Sequence, residues 1–468
     1  MPATTVSVEK GTPQLLRGLN VWHATSIVAG TIIGSGIFLV PAEMMQAVGS
    51  AGLVYLAWFV GGVLSFFGAL TYAELGAVRP WSGGEYVYVR DAYGPLPGFL
   101  YGWTWFLIAK PASIASITAG LVRVLGTFSA FSFLPRALCS LHVTSDRVLV
   151  INFGHLVAIA ATVLITALNY VGIRKAGNFQ FAFTILKVAV IMGIAFVALT
   201  AASGSWANFS TRFSGAKGGI AGFMAALVAA LWAYDGWNDL NMVSEEIRSP
   251  EKSIPIALIS GVGLVAILYM GMNAAIQRAL DAATIAHAAV PASAASEAAL
   301  GHWGIMLVSI GMVISMLATL NGTVMSGGRV PFAVARDGYL FKALGEVHPR
   351  FHTPGLALVV QAAVAIILVL VGGAFRELFS LAIFTEWLFY VVAASTIFVF
   401  RKREPQEKRP YQTVGYPLVP ALFIGTAAVL LYYTFVSNLR DSIAGLVVIL
   451  LGVPVYLFFA WQRGRVPR

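Results

Sequence analysis

The chain has 468 residues, of which 58% are hydrophobic and 11% charged; a soluble domain carries roughly 25% charged residues, so a soluble enzyme of this size is excluded. One cysteine rules out a disulfide framework and a Cys-rich metal site. Thirty Lys and Arg against 20 Asp and Glu leave a net charge of +10, and a nucleic-acid surface is the first partner such a balance calls to be tested.

Residues 1–18 are polar with no apolar core, so they are expected to be a cytoplasmic tail and not a signal peptide. Beyond them, twelve apolar runs have the length of membrane spans, at 19–47, 52–78, 94–125, 148–168, 178–202, 219–243, 254–277, 300–328, 354–373, 377–400, 416–437 and 442–462. No connection is long enough for a soluble domain. The expected fold is an all-α integral membrane bundle of 12 transmembrane helices. With the N-terminus placed in the cytoplasm, 20 of the 30 basic residues fall on the cytoplasmic side and 8 on the other, with Lys110 and Lys187 inside spans. The positive charge is thus topological and implies no nucleic-acid partner. Both termini are expected in the cytoplasm, with the protein in the inner (plasma) membrane.

The first span contains Gly30, Gly34 and Gly36 within seven residues, followed by Pro41. Each glycine weakens a helix by about 1 kcal/mol, and Pro41 removes a backbone donor. Two readings are open: a small-residue packing face, or an unwound stretch at residues 34–36 that offers backbone groups to a cavity. In the third span, Lys110-Pro111 marks a kink with a charge that can face a vestibule. In the fifth, Lys187 sits deep enough that snorkelling to the interface competes with a buried role.

The sixth span carries Trp232, Ala233, Tyr234, Asp235, Gly236, Trp237, Asn238 and Asp239. An unpaired charge at the bilayer centre costs at least about 2.5–3.5 kcal/mol, so these acids call for a cavity or a partner. Interruptions at matching positions of two five-helix halves point to an inverted-repeat transporter with its site between the breaks. A half-helix N-terminus suits an anion and unwound carbonyls suit a cation, so the site suits a zwitterion. Glu386, in the tenth span, is a lone intramembrane acid and a gate candidate.

The run from Gly30 to Phe38, the Trp232 to Trp237 segment, and Glu245-Glu246 with Ser249-Pro250-Glu251 and Pro255 resemble the amino acid–polyamine–organocation family. So do Asn321-Gly322, Arg329, Arg336-Asp337-Gly338, Thr353-Pro354, Arg409-Pro410-Tyr411 and Gly415-Tyr416-Pro417. The ordered set covers about residues 15–460 and is most similar to the bacterial L-type amino acid transporters, commonly obligate exchangers. The resemblance implies a leucine-transporter-type 5+5 inverted repeat with broken helices 1 and 6. Its halves would be residues 19–202 and 219–401, with 402–468 adding two helices and a tail within one structural domain.

Carried over by position, the resemblance implies that the backbone N–H groups of Ser35, Gly36 and Ile37 meet the substrate carboxylate. Carbonyls near Ile32 and those of Trp232, Ala233 and Asp235 would meet the ammonium. Trp232 would be the aromatic gate. Lys187 would stand where sodium-coupled relatives hold a cation, contacting carbonyls near Gly30, with Thr319 and Asn321 as neighbours. Asn238 occupies a position where proton-coupled relatives carry an acid, which favours exchange. Asp235 either binds a basic side chain or serves through its carbonyl.

The expected activity is sodium-independent exchange of neutral L-amino acids by alternating access. The rivals are proton-coupled symport of amino acids, cationic amino acid or polyamine transport, and a channel or sensor on the same scaffold. No phosphate loop or metal-binding motif is present, so no enzyme activity, metal or cofactor is expected. The expected partners are an amino acid and the lipid bilayer. Animal L-type relatives pair with a glycoprotein through a cysteine; Cys139 lies near that region, and no obligatory protein partner is expected.

Overall fold

A computed structural model describes residues 13–144, 147–371, 375–437 and 439–465. Among them, nine helices are long and apolar enough to cross a membrane, and a tenth span is formed by the bent pair Val21–Ile32 and Gly36–Val48. Gly219–Ala233 and Gly355–Val371 are shorter apolar helices. The protein is therefore a helical multi-pass membrane protein.

Val21–Ile32 starts at Asn20, whose side chain accepts from the His23 N–H while His23 caps the Asn20 N–H in return. It ends at Ile33, and the chain turns by 40° into Gly36–Val48. Pro41 is accommodated inside the second helix, where the missing donor falls in the first turns. The sixth span is likewise two pieces, Gly219–Ala233 and Asp239–Met242, joined by a turn at 234–238. Gly236 sits there at φ +106°, a conformation that side-chain-bearing residues rarely adopt. The third span, Pro95–Leu125, contains a π-helical turn at Trp105–Ala109 directly before Lys110-Pro111. Pro111 has no N–H to continue the regular ladder.

Val21–Ile32 packs against the fifth span (Ile173–Thr200), the seventh (Pro250–Ala279) and the eighth (His302–Gly327). Gly36–Val48 packs against Gly219–Ala233. The broken segments are thus enclosed by continuous helices. At the end bearing most of the basic residues, Glu246 and Arg329 form a fully buried ion pair at 2.8 Å. Glu74 with Arg401 at 2.6 Å and Glu245 with Arg336 at 3.0 Å add to it.

The bundle is all-helical, and one connection within it is not. The connection between the third and fourth spans is an antiparallel hairpin of Ala137–Thr144 and Arg147–Asn152. The fourth helix therefore begins at Phe153, not near 148. Residues 147–152 read Arg-Val-Leu-Val-Ile-Asn, a β-branched run that suits a pleated strand. Asn152 then caps the helix by accepting from the His155 N–H at 3.0 Å. Cys139 lies exposed and free in this hairpin.

Candidate functional site

The two breaks lie against one another. A methyl group added at Gly36 would stand 3.0 Å from the Ala233 Cβ and 3.5 Å from the Trp232 ring. The Thr31 hydroxyl is 2.7 Å from the Gly236 carbonyl. A cavity of about 980 Å³ opens beside them. Ser35 and Gly36 line it from the first span, Trp232, Ala233 and Asp235 from the sixth, and Lys110 from the third. Arg123 and residues between 288 and 297 line it as well.

The first four N–H groups of a helix lack intrahelical acceptors. Phe38 N–H finds the Ser35 carbonyl at 3.1 Å. The N–H groups of Ser35, Gly36 and Ile37 find no acceptor among the described residues. They form a donor set for an anion at the start of a helix. The carbonyls on the other side are partly engaged. Tyr269 Oη lies 3.1 Å from the Ile32 oxygen and 3.0 Å from that of Ala233, so a single hydroxyl spans both breaks. The Trp232 carbonyl accepts from the Asp235 N–H.

Lys187 is fully buried in the fifth span. Its ammonium donates to the carbonyls of Gly30 at 2.8 Å, Ile33 at 2.7 Å and Ser315 at 3.2 Å. The hydroxyls of Ser315 and Thr319 converge on the Ile33 oxygen as well, at 2.6 and 3.2 Å. The carbonyls freed where the helix stops therefore face a fixed cation and not water. Asn321 lies one step away. It donates to Gln180 Oε1 at 2.7 Å and the Ala176 carbonyl, and accepts from Asn169.

Behind the sixth-span turn is a second polar set. Lys110 Nζ is 2.5 Å from Asp239 Oδ1. Tyr390 Oη lies 2.7 Å from Asp235 Oδ1 and 3.1 Å from Asn238 Oδ1. Asn238 donates to Glu85 Oε1 at 2.7 Å, and Glu85 also accepts from Tyr101. Asn238 is fully buried away from the cavity and holds the turn, while Asp235 and Glu386 line the cavity. Tyr269, Tyr390 and Ser315 were not singled out by the sequence. Nothing distinguishes them from the other tyrosines and serines of apolar spans until the fold aims them at the breaks.

With this geometry in place, similarity to known proteins becomes informative. The amino acid permease family model matches residues 19–458. The chain belongs to the amino acid permease family. Among its relatives, the human cystine/glutamate transporter is 33% identical over 454 residues, covering 96% of this chain and 87% of that protein. The serine/threonine exchanger SteT of Bacillus subtilis is 31% identical over 447 residues, covering 94% and 96%. The mouse b(0,+)-type amino acid transporter 1 is 29% identical over 469 residues, covering 98% and 91%. The protein is a permease of the amino acid–polyamine–organocation type and not an enzyme.

Proposed function

We propose that this permease exchanges neutral L-amino acids by alternating access, without sodium, in the inner (plasma) membrane. In this reading it has twelve spans with both termini cytoplasmic. Residues 19–202 and 219–401 are inverted repeats, and it acts without an obligatory protein partner. One observation carries the proposal: Ser35 and Gly36, whose N–H groups, like that of Ile37 beside them, find no acceptor among the described residues, line the same cavity as Asp235 and Gly236 of the 234–238 turn. An α-carboxylate answers the donors. An α-ammonium answers the carbonyls of Ile32, Trp232, Ala233 and Asp235. A ligand that touches both halves stabilises the closed form by its differential affinity. Trp232, at the edge of the cavity, is the closing aromatic.

Support for sodium independence comes from Lys187. A cation is already fixed between Gly30, Ile33 and Ser315, so no metal ion is required there. Exchange is supported by the Bacillus relative, a serine/threonine exchanger.

The test is uptake of labelled L-amino acids into proteoliposomes, loaded with unlabelled amino acid or empty. Uptake only into loaded vesicles, unchanged by sodium, is expected. Uptake into empty vesicles driven by an inward proton gradient would replace exchange by symport. That second reading has one observation behind it, the excess of carboxylates around Lys110 in the cavity.

A further inference from the structure

The charges lining the cavity do not balance. Four carboxylates face it, Asp235, Asp239, Glu386 and Glu297, against two cations, Lys110 and Arg123. Glu297 and Arg123 are one of each sign. In the deeper part, Asp239 is neutralised by Lys110 at 2.5 Å. Asp235 is held by the Tyr390 hydroxyl at 2.7 Å. Glu85, just behind, accepts from Asn238 and Tyr101. Glu386 is the exception. It is 8% exposed, it lines the cavity, and among the described residues it makes no hydrogen bond or salt bridge, while Lys110, whose charge reaches it, is already paired with Asp239.

A carboxylate taken out of water without a partner is costly. Every other acid of the deep cavity has been given one by the fold. The missing partner is therefore expected from the ligand. It must be a cation or a strong donor, and it must reach the part of the cavity wall that Glu386 lines. The α-ammonium is already accounted for at the breaks.

We propose that Glu386 is the side-chain subsite of the permease and that its ligands include L-amino acids with an amine or guanidinium side chain. A basic substrate then carries its α-groups to the breaks and its side-chain cation to Glu386. A small neutral substrate uses the breaks alone. The inference rests on the reading of the cavity as an amino acid site and extends that reading to basic substrates.

The experiment uses the full-length protein in proteoliposomes loaded with L-alanine, exchanging labelled L-ornithine, L-arginine or L-alanine. Wild type is expected to exchange ornithine or arginine, and either should compete with labelled alanine; this competition needs no variant. In Glu386→Gln, the ornithine-to-alanine ratio should fall about tenfold or more, the worth of one charge-assisted hydrogen bond. Glu386→Asp should recover part of the ratio. Exchange of alanine by wild type with no competition from any basic amino acid would overturn the subsite and leave the neutral-exchange reading intact. Equal loss of both substrates in Glu386→Gln would assign Glu386 a structural role instead. If Glu386→Gln abolished a pH dependence of alanine uptake while basic amino acids were ignored, Glu386 would be a proton site, against the proposal. No exchange of any amino acid by wild type would take down both readings.

Discussion

The Lys187 ammonium stands 2.7 Å from the carbonyl oxygen of Ile33, the residue at which the first half of the first span stops. A broken helix leaves carbonyls that bilayer hydrocarbon cannot satisfy. Here a side chain 154 residues away satisfies them. Each hydrogen bond to a charged donor contributes about 1.5–3 kcal/mol. Lys187→Met, similar in length but uncharged, should therefore reduce exchange by more than about tenfold while the protein still inserts. Proteoliposome uptake and size-exclusion behaviour check the two halves of that statement.

Gly36 permits the two breaks to touch. Gly36→Ala places a methyl 3.0 Å from the Ala233 Cβ and 3.2 Å from its Cα, an overpacking worth about 1–3 kcal/mol. Substrate affinity should drop accordingly. The second substitution Ala233→Gly removes one of the clashing atoms and should return part of the affinity. A double-mutant cycle on the KM for exchange measures the coupling, and additive effects would sink the idea.

Tyr269 bridges Ile32 and Ala233 with its hydroxyl, while its ring packs edge-on to Trp58 at 5.3 Å. Tyr269→Phe keeps the ring and deletes the donor. Leaving the buried carbonyls one donor short costs about 1–3 kcal/mol. The expected result is a KM raised about tenfold together with a lower melting temperature of the detergent-solubilised protein. A stability loss without a KM change would make Tyr269 a packing residue only.

Glu246 and Arg329 are both fully buried. Removing one partner of such a pair typically costs about 3–5 kcal/mol, because the survivor is left uncompensated. Glu246→Gln should lower the melting temperature in detergent sharply. Replacing both residues with apolar ones of similar volume should cost less than either single change.

The breaks themselves were legible because glycine density and mid-span acids are anomalous in hydrocarbon. Gly34 and Gly36 in the first span, and Asp235-Gly236 in the sixth, mark where the helices stop, although for the first span composition alone left a small-residue packing face open as well. The pairing of charges was not legible. Lys110 and Asp239 are 129 positions apart, and periodicity places each on its own helix without saying which neighbour it meets. Asn238 shows the same limit: nothing in its position says that its amide meets Glu85 and Tyr390. Local pattern also misplaced the start of the fourth helix. The run from Val148 to Ile151 is as apolar as the helix it precedes, and hydropathy does not separate strand from helix over so short a segment.

The segment just before the first span and the segment just after the sixth are stitched together. Leu19 N–H donates to the Glu246 carbonyl at 3.0 Å, and Arg248 N–H donates to the Leu19 carbonyl at 2.8 Å. These two short stretches form a parallel bridge at the foot of the interrupted helices. Mechanically, the stitch makes the feet of both interrupted helices a single lever arm. Because Glu246 is also bolted to Arg329 and the adjoining Glu245 is paired with Arg336, adjacent ion pairs latch the lever to the surrounding frame. Moving the two feet away from that frame must then part a desolvated ion pair, Glu246 with Arg329.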